Sequence, residues 1–328
     1  MKMTKIESLW HAIRQQTESC TMENGGFRLL RLDPEYPFSI FAGVDDSGNV
    51  LLAIGVDSRP PNINVGTQAL DYFRQQRAGG SWLMVLRLIR SGLDPVFGRL
   101  CQDLVDAAAS VPSQAALIKL FSERLLLWQK LFQHGNSGCL DKHQIKGLMA
   151  ELLSLEYLLT EKPDTMTETA MAWTGPLGAD QDFIFGDRAI EIKAISPSSD
   201  KVSISSVGQL EALVPMELWI YVLRESSSGE NDCICLIELT TRIESQLSGC
   251  PEGLSIFRER LLTVGYIEQE FYESACFNLM ATNKYSISEG FPRLTGVGVP
   301  LGVSDISYSI SLPAIDPFNI ELEAGHAA

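Results

Sequence analysis

The 328-residue chain is 45% hydrophobic and 20% charged, which is typical of a globular protein with one large or two modest domains. Its net charge of −15 argues against a protein that binds nucleic acid through a generally basic surface. The seven cysteines and four histidines show no zinc-type spacing. Because the sequence also lacks a secretory signal and an apolar run long enough to span a bilayer, we expect a reduced, cytoplasmic protein without a membrane partner.

The acidity is uneven along the chain. Residues 1–140 contain 14 basic and 13 acidic side chains, whereas residues 141–328 contain 12 basic and 28 acidic ones. The second half is therefore expected to have weak generic affinity for DNA, unless a partner or a local basic face compensates.

The N-terminal region has the pattern of a small antiparallel sheet followed by helices. A helix at about 4–18 precedes several β-type runs, and apolar residues at helical spacing begin at Asp94 and resume after Pro112. The predicted strands are residues 27–32, 38–44, 50–56 and 81–89. A breaker cluster at 134–138 marks a boundary, so we interpret residues 1–138 as an accessory region that contacts DNA or a partner.

A strong helix is predicted at about 141–159, where apolar residues recur every three or four positions. Glu151 borders this apolar stripe. A carboxylate beside a buried face is costly unless it is paired, and a partly solvated glutamate is the simpler interpretation. Since the hairpin that follows can supply a partner in the form of a shared metal ion, we interpret Glu151 as functional.

The next segment predicts a β-hairpin, because the apolar runs 183–185 and 189–194 flank a Gly-Asp turn. Side chains alternate along a strand, so Glu191 and Lys193 share one face of the second run. Asp182, at the start of the first run, can reach the same edge of the sheet. Two acids and a lysine at one edge can hold a divalent metal ion and orient a nucleophile.

Two alternatives bear on this hairpin. If the strand were solvated, Glu191 and Lys193 would form an exposed charge pair worth less than about 1 kcal/mol. Their apolar neighbours instead favour a buried strand, in which ionised groups need a compensating ion or a cleft. Asp180 rivals Asp182 as a metal ligand, but we prefer Asp182 because it begins the strand directly.

The remaining sequence predicts a succession of strands and helices. After a strand at 202–205, a helical turn at 206–211 carries Gln209. The other predicted elements are strands at 217–223 and 232–239, helices over most of 240–269, and strands at 277–285 and 306–312. We therefore expect a core at 139–240 and a C-terminal α/β extension at 241–328 packed on that core.

The order of these residues resembles the signature of the PD-(D/E)XK nuclease superfamily: a helix-borne Glu151, then Asp182, then Glu191-Ile192-Lys193 after a tight hairpin. The segments GLMAELLSLEYLL, WTGP, QDFIF, IEIKA and SISSVGQLE, with a late FPR segment, are similar to one prokaryotic family within it. That family is associated with restriction-modification and phage-defence gene clusters. Gln181 stands where the superfamily's name places a proline, and we expect this departure to cost little because the proline only shapes the start of the strand.

The resemblance implies an α/β fold with a restriction-endonuclease-like core, that is, a central mixed β-sheet flanked by helices. It also implies a metal site. Asp182 and Glu191, together with the backbone carbonyl of Ile192, would bind Mg²⁺ or Mn²⁺. Glu151 would hold that ion through water or help to bind a second one.

The resemblance assigns the remaining catalytic work to two further side chains. Lys193 would orient or help to deprotonate the attacking water and offset charge at the phosphorus. Gln209 would position phosphate or water, and Ser205 and Ser206 are weaker candidates for the same task.

Together these features predict a metal-dependent, endonuclease-like phosphodiesterase that cuts DNA as a component of a restriction or phage-defence system with protein partners. A homodimer is plausible, since cutting both strands of a duplex usually requires two active sites. One alternative is a non-cleaving subunit that uses the nuclease fold to hold nucleic acid or protein, which the acidic composition favours. RNA is a further alternative substrate.

Overall fold

The structure is a computed structural model. It describes residues 4–17, 26–34, 36–64, 69–109, 111–133, 140–227 and 232–320. Within these residues the chain is mixed α/β and divides into two compact units. The first unit is Met1–Cys139 with Gly265–Gln269, and the second is Leu140–Val264 with Glu270–Ala328. The breaker cluster predicted at 134–138 lies outside the described residues.

The first unit contains an antiparallel five-stranded sheet in the order β1-β2-β3-β5-β4. The elements of this unit are α1 (Lys5–Thr17), β1 (Phe27–Arg31), β2 (Ile40–Asp45), β3 (Val50–Val56), β4 (Leu70–Gln76), β5 (Trp82–Leu88), α2 (Asp94–Ala108) and α3 (Gln114–Gln133). The four strands and three helices predicted for this region are confirmed to within a few residues. The sequence analysis missed β4, an edge strand whose last residues are polar and exposed.

The core of the first unit forms where α1 and α2 pack together and α1 covers the sheet. The indole Nε1 of Trp10 donates a hydrogen bond of 3.0 Å to the carbonyl of Leu51 in the central strand β3. The Trp10 ring stacks on Phe97 of α2 with 5.4 Å between ring centroids. At one end of the sheet, Arg87 forms ion pairs with Asp45 and Asp71 at 3.2 and 2.6 Å.

The second unit contains a mixed five-stranded sheet in the order β10-β11-β9-β7-β6 and a two-stranded sheet of β12 and β8. The elements of this unit are α4 (Lys142–Glu161), α5 (Met166–Ala172), β6 (Phe183–Ile184), β7 (Ala189–Ile195), β8 (Lys201–Ile204), β9 (Met216–Ser226), β10 (Ile234–Cys235), α6 (Leu236–Gln246), α7 (Pro251–Thr263), α8 (Phe271–Ser274), β11 (Cys276–Ser286), β12 (Tyr308–Ser311) and α9 (Leu312–Ile315). Strand β7 pairs in parallel with β9, and the other pairings of the larger sheet are antiparallel.

Helix α4 begins with a capping box, in which Asp141 and Gln144 exchange side-chain to backbone hydrogen bonds of 2.9 Å. The apolar stripe predicted for this helix is buried, and the helix packs on β7. Farther along α4, the hydroxyl of Ser154 donates to the Tyr221 hydroxyl of β9 at 2.9 Å. The helix is thereby fixed against the two parallel strands of the sheet.

The strand predicted at 232–239 is wrong. Ile234 and Cys235 form the short strand β10, and α6 begins at Leu236. The carboxylate of Glu238 accepts the backbone N–H of Cys235 at 3.3 Å, which caps the helix. Apolar residues at 236, 239 and 243 are buried at helical spacing, and this periodicity outweighed the alternation over the first few residues.

Within the described ranges of the chain, no helix combines the length and the apolar character needed to cross a membrane.

Candidate active site

The five side chains that the sequence analysis selected lie near one another in the second unit. Glu151 is midway along α4, Asp182 immediately precedes β6, Glu191 and Lys193 are in β7, and Gln209 is in a short 3₁₀ turn after β8. The antiparallel pairing of β6 with β7 and the packing of α4 on β7 bring them into one neighbourhood.

Glu151 is a buried carboxyl group held by an indole. The Nε1 of Trp173 donates a hydrogen bond of 2.7 Å to Glu151 Oε2, and Trp173 is itself fully buried. Burial and the neighbouring Asp182 raise the pKa of Glu151 to about 8, although the Trp173 hydrogen bond and Lys193 act in the opposite direction. A carboxyl with this pKa is largely protonated at neutral pH unless a cation joins it.

Asp182 is oriented by backbone groups. Its Oδ2 accepts the N–H of Ile192 at 2.7 Å, and its carbonyl accepts the N–H groups of Thr174 and Gly175 at 2.8 and 3.0 Å. Burial raises the pKa of Asp182, while the Ile192 N–H and the Lys193 charge lower it. The carboxylate therefore has a fixed direction between the loop before β6 and strand β7.

Gly175 lies in close contact with two of the acids. A Cβ atom at this position would lie 2.7 Å from Asp182 Oδ1 and 3.2 Å from Glu151 Oε2. Both oxygens thus border the same point, and any larger residue would clash with them.

Glu191 is the least satisfied side chain of the site. It is 1% exposed, and its Oε2 accepts no hydrogen bond from a residue that the structure describes. Its other oxygen, Oε1, lies 2.6 Å from Lys193 Nζ and forms an ion pair with it. Burial and Asp182 raise the pKa of Glu191 well above its ordinary value, while Lys193 opposes this. A buried carboxylate with one unpartnered oxygen points to a ligand.

Lys193 is oriented by Gln209. Its Nζ donates to Gln209 Oε1 at 3.0 Å, and the same oxygen accepts the backbone N–H of Ser205 at 2.8 Å. The Lys193 side chain is 16% exposed. The ammonium group is thus held between Gln209 and Glu191 and keeps some access to solvent.

The weaker candidates of the sequence analysis take other positions. Asp180, the rival metal ligand, is exposed, and its carboxylate packs against Gly208 of the 3₁₀ turn. Ile192, which was expected to offer its carbonyl to a metal ion, gives its N–H to Asp182. Ser205 contacts the site through its backbone N–H.

The side chains present fit a hard divalent cation. Burial raises the pKa of all three acids, Asp182 raises the pKa values of Glu151 and Glu191 further, and Glu191 Oε2 has no hydrogen-bond partner among the described residues. Among the described residues, however, no three His, Cys, Asp or Glu side chains are grouped closely enough to form a ready-made ligand set. Mg²⁺ is usually bound by one or two carboxylates and keeps several waters, so two of these acids would be enough to hold it.

The sequence analysis did not predict roles for Trp173, Gly175 and Gln181. Trp173 and Gly175 were noted within the segment WTGP as part of a resemblance, but their contacts with Glu151 and Asp182 depend on the fold. Gln181 was expected to replace a proline at little cost. The structure instead shows a buried amide with two hydrogen bonds.

The fold and the site together define a class of protein. A mixed sheet has an aspartate immediately before one strand and a glutamate and lysine, two positions apart, on the next strand, with a further glutamate on a flanking helix. This is the arrangement of the PD-(D/E)XK proteins, which are usually nucleases.

A family model described as "Putative PD-(D/E)XK family member, (DUF4420)" matches residues 6–313 of the chain. The chain therefore belongs to this family, as the resemblance noted in its sequence predicted, and its mixed α/β fold agrees with a restriction-endonuclease-like fold. No curated protein and no solved structure matched the chain.

Proposed function

We propose that the protein is a metal-dependent phosphodiesterase of the nuclease type that cuts DNA. One observation carries the proposal: the Glu191 carboxylate is almost completely buried, its Oε1 is ion-paired with the Lys193 ammonium at 2.6 Å, and its Oε2 has no hydrogen-bond partner among the described residues. A carboxylate with a purely structural role is expected to have both oxygens paired. A buried carboxylate with one unpartnered oxygen, next to two other acids with raised pKa values, is typical of a functional site.

The residues of the site would divide the catalytic work. Asp182 and Glu191 would hold Mg²⁺ or Mn²⁺, and Glu151 would assist from α4 through water or a second ion. When bound, such a cation supplies a water of lowered pKa and stabilises the charge that develops on the phosphate. Lys193 would orient the attacking water and offset negative charge at the phosphorus, and Gln209 would hold the ammonium in place.

The wider assignment rests on the family resemblance. It implies DNA as the substrate, a restriction or phage-defence system with protein partners as the cytoplasmic setting, and a homodimer where both strands are cut. Residues 139–240 would form the nuclease core and residues 241–328 an extension packed on it. Residues 1–138 would contact DNA or a partner, which their nearly balanced charge supports.

A second candidate function is a non-cleaving binding subunit. The charge of residues 141–328, with 28 acidic and 12 basic side chains, favours it because this half repels a phosphate backbone. Such a subunit would keep its fold and its partners after loss of Glu191 or Lys193, and it would yield no cleavage product with any metal.

Nicking of supercoiled plasmid DNA distinguishes the two functions. We expect the wild type to cut in Mg²⁺ or Mn²⁺ and to stop in EDTA, and we expect Glu191→Ala and Lys193→Ala to lower the rate at least about 100-fold. Matched controls are Glu168→Ala and Lys201→Ala, which replace exposed residues of the same types in the second unit and should cut like the wild type. Equal traces of cutting in every preparation would indicate contamination and support the binding subunit.

A further inference from the structure

Gln181 has a buried side-chain amide. This amide links the segment just before β6, which contains Asp182, to the 3₁₀ turn that contains Gln209. Gln181 immediately precedes Asp182, and its side chain is 6% exposed. Its Nε2 donates to the carbonyl of Gly208 at 2.6 Å and to the carbonyl of Glu211 at 3.1 Å. The backbone carbonyl of Gln181 accepts a hydrogen bond of 3.0 Å from the Thr174 hydroxyl. Both hydrogens of the amide are therefore directed at the backbone of one turn.

That turn, Gly208–Leu210, carries a residue of the candidate active site. Gln209 Oε1 accepts the Nζ of Lys193 and the N–H of Ser205, so the position of the turn decides where the Lys193 ammonium is held. Within the turn, the N–H of Glu211 bonds to the carbonyl of Gly208 at 3.0 Å and that of Leu210 to the carbonyl of Val207 at 3.4 Å, and such 3₁₀ bonds have poor geometry. Leu210 is fully buried, and Arg293 Nη1 donates to its carbonyl. Gln181 adds hydrogen bonds to the carbonyls of Gly208 and Glu211, at the two ends of the turn.

We propose that Gln181 is a positioning residue, which fixes the Gly208–Leu210 turn so that Gln209 holds Lys193 beside Glu191. The inference rests on the proposed function. Under this proposal, the residue before Asp182 does more than shape the start of the strand, which was the expectation from the sequence. Gln181 acts through Gln209 and Lys193 and does not itself touch the reacting atoms.

The chemistry of the contact calls for a side chain of this length with two donors. Methionine has nearly the same length and no donor, so it keeps the packing and loses both hydrogen bonds. Asparagine is one methylene shorter and cannot reach both carbonyls. Proline, the residue of the superfamily pattern, has no side-chain donor at all, so restoring that pattern should impair the protein.

The test combines kinetics with hydrogen exchange in the full-length chain. We expect Gln181→Met and Gln181→Pro to lower kcat about 10-fold or more with KM within about twofold, because substrate binding is not altered. Amide exchange at Ser205 and Glu211 should accelerate by a similar factor. The matched control is Gln246→Met, which removes another amide donor of the second unit, bonded to Thr160, and should change neither readout.

A double-mutant cycle separates positioning from packing. If Gln181 acts through Gln209, then Gln181→Met should cost nothing further in kcat once Gln209→Ala is present. Additive losses would mean that Gln181 acts on the fold in general and would overturn the inference. A Gln181→Pro variant that is as active as the wild type would also overturn the inference. If Gln181→Met does not fold, Gln181→Asn takes its place in the cycle, with a smaller loss expected.

Failure of this inference differs from failure of the proposed function. Without cleavage by the wild type, the proposed function fails, while the exchange rates of Ser205 and Glu211 still decide whether Gln181 fixes the turn. Unchanged exchange in Gln181→Met would overturn the inference whatever the enzymatic result.

Discussion

Glu191 lies in a buried strand, its Oε1 forms an ion pair with Lys193, and its Oε2 accepts no hydrogen bond from the described residues. Removing a carboxylate from water costs several kcal/mol, and a single lysine recovers only part of that cost. Asp182 adds a like charge that raises the pKa of Glu191 further. We therefore expect this site to make the metal-free protein less stable, as is common for functional sites.

Replacing Glu191 with glutamine should stabilise the metal-free protein while abolishing cleavage. Glutamine keeps the shape and removes the buried charge, so we expect the free energy of unfolding at pH 9 in EDTA to rise by about 1–3 kcal/mol. Thermal unfolding measures the effect. The control is Glu217→Gln, because Glu217 accepts Trp219 Nε1 at 2.7 Å and pairs with Arg188, so its loss should not stabilise. A lower Tm for Glu191→Gln would make Glu191 a structural ion-pair partner.

The raised pKa of Glu151 gives the protein a defined pH dependence. The folded pKa of about 8 lies above the ordinary value of 4.5, so the neutral form is favoured on folding. The resulting stability is fully present below pH 4.5 and is lost as the pH rises through about 8. The pKa values of Asp182 and Glu191 are also raised, which adds to the loss of stability as the pH rises.

Metal binding should oppose this loss of stability at high pH, because a divalent cation binds the deprotonated carboxylates. We expect the Tm in EDTA to fall between pH 6 and pH 9, and the rise in Tm on adding Mg²⁺ to be larger at pH 9. Glu151→Gln should reduce the pH dependence of the metal-free Tm. A Mg²⁺ effect that is equal at both pH values would contradict the assignment of these acids as metal ligands.

Among the elements, the loop before β6 sets the spacing of the acids. Trp173 holds Glu151, and the N–H groups of Thr174 and Gly175 hold the backbone of Asp182. A single short segment therefore links the helix-borne acid to the strand-borne one. The absence of a side chain at Gly175 allows both carboxylates to lie close to its backbone.

Gly175→Ala should impair cleavage much more than stability. The new methyl group would lie 2.7 Å from Asp182 Oδ1, so that carboxylate must move, and we expect a loss of rate of about 100-fold. Plasmid nicking and thermal unfolding measure the two effects. Gly147→Ala is the matched control, since it lies in α4 with no atom within 4 Å of the new Cβ and should stabilise the helix by about 0.5–1 kcal/mol. Full activity of Gly175→Ala would show that the close approach of Gly175 to the two carboxylates has no role.

Periodicity accounts for what the sequence could predict among these elements. The apolar stripe of α4 and the alternation in β7 were sufficient to place Glu151, Glu191 and Lys193. The same kind of alternation led to a wrong strand prediction at 232–239, where the capping contact of Glu238 starts a helix. Strand β4 has a polar, exposed end at the edge of its sheet, so its pattern is weak.

The contacts that orient the site could not be predicted from the sequence. The hydrogen bond from Trp173 to Glu151 spans 22 residues, and those from Gln181 to Gly208 and Glu211 span 27 and 30. Each depends on how separate elements pack, which no local pattern encodes. The positions of the candidate site residues on their helix and strands were therefore predictable, and the contacts that hold them in place were not.

For the whole molecule, charge is the property that most affects binding. The chain carries a net charge of −15, concentrated in residues 141–328. Its surface carboxylates can bind divalent cations weakly at many points, and its overall field repels DNA. A bulk titration with metal would mix such sites with the proposed one, so the position of the ion has to be determined directly.

Crystals soaked in Mn²⁺ provide that determination through anomalous scattering. We expect an anomalous peak in direct contact with the carboxylates of Asp182 and Glu191, and we expect it to vanish in Asp182→Asn crystals soaked in the same way. Peaks confined to exposed acids, with none beside Asp182 and Glu191 in the wild type, would contradict the claim that these acids are a metal site.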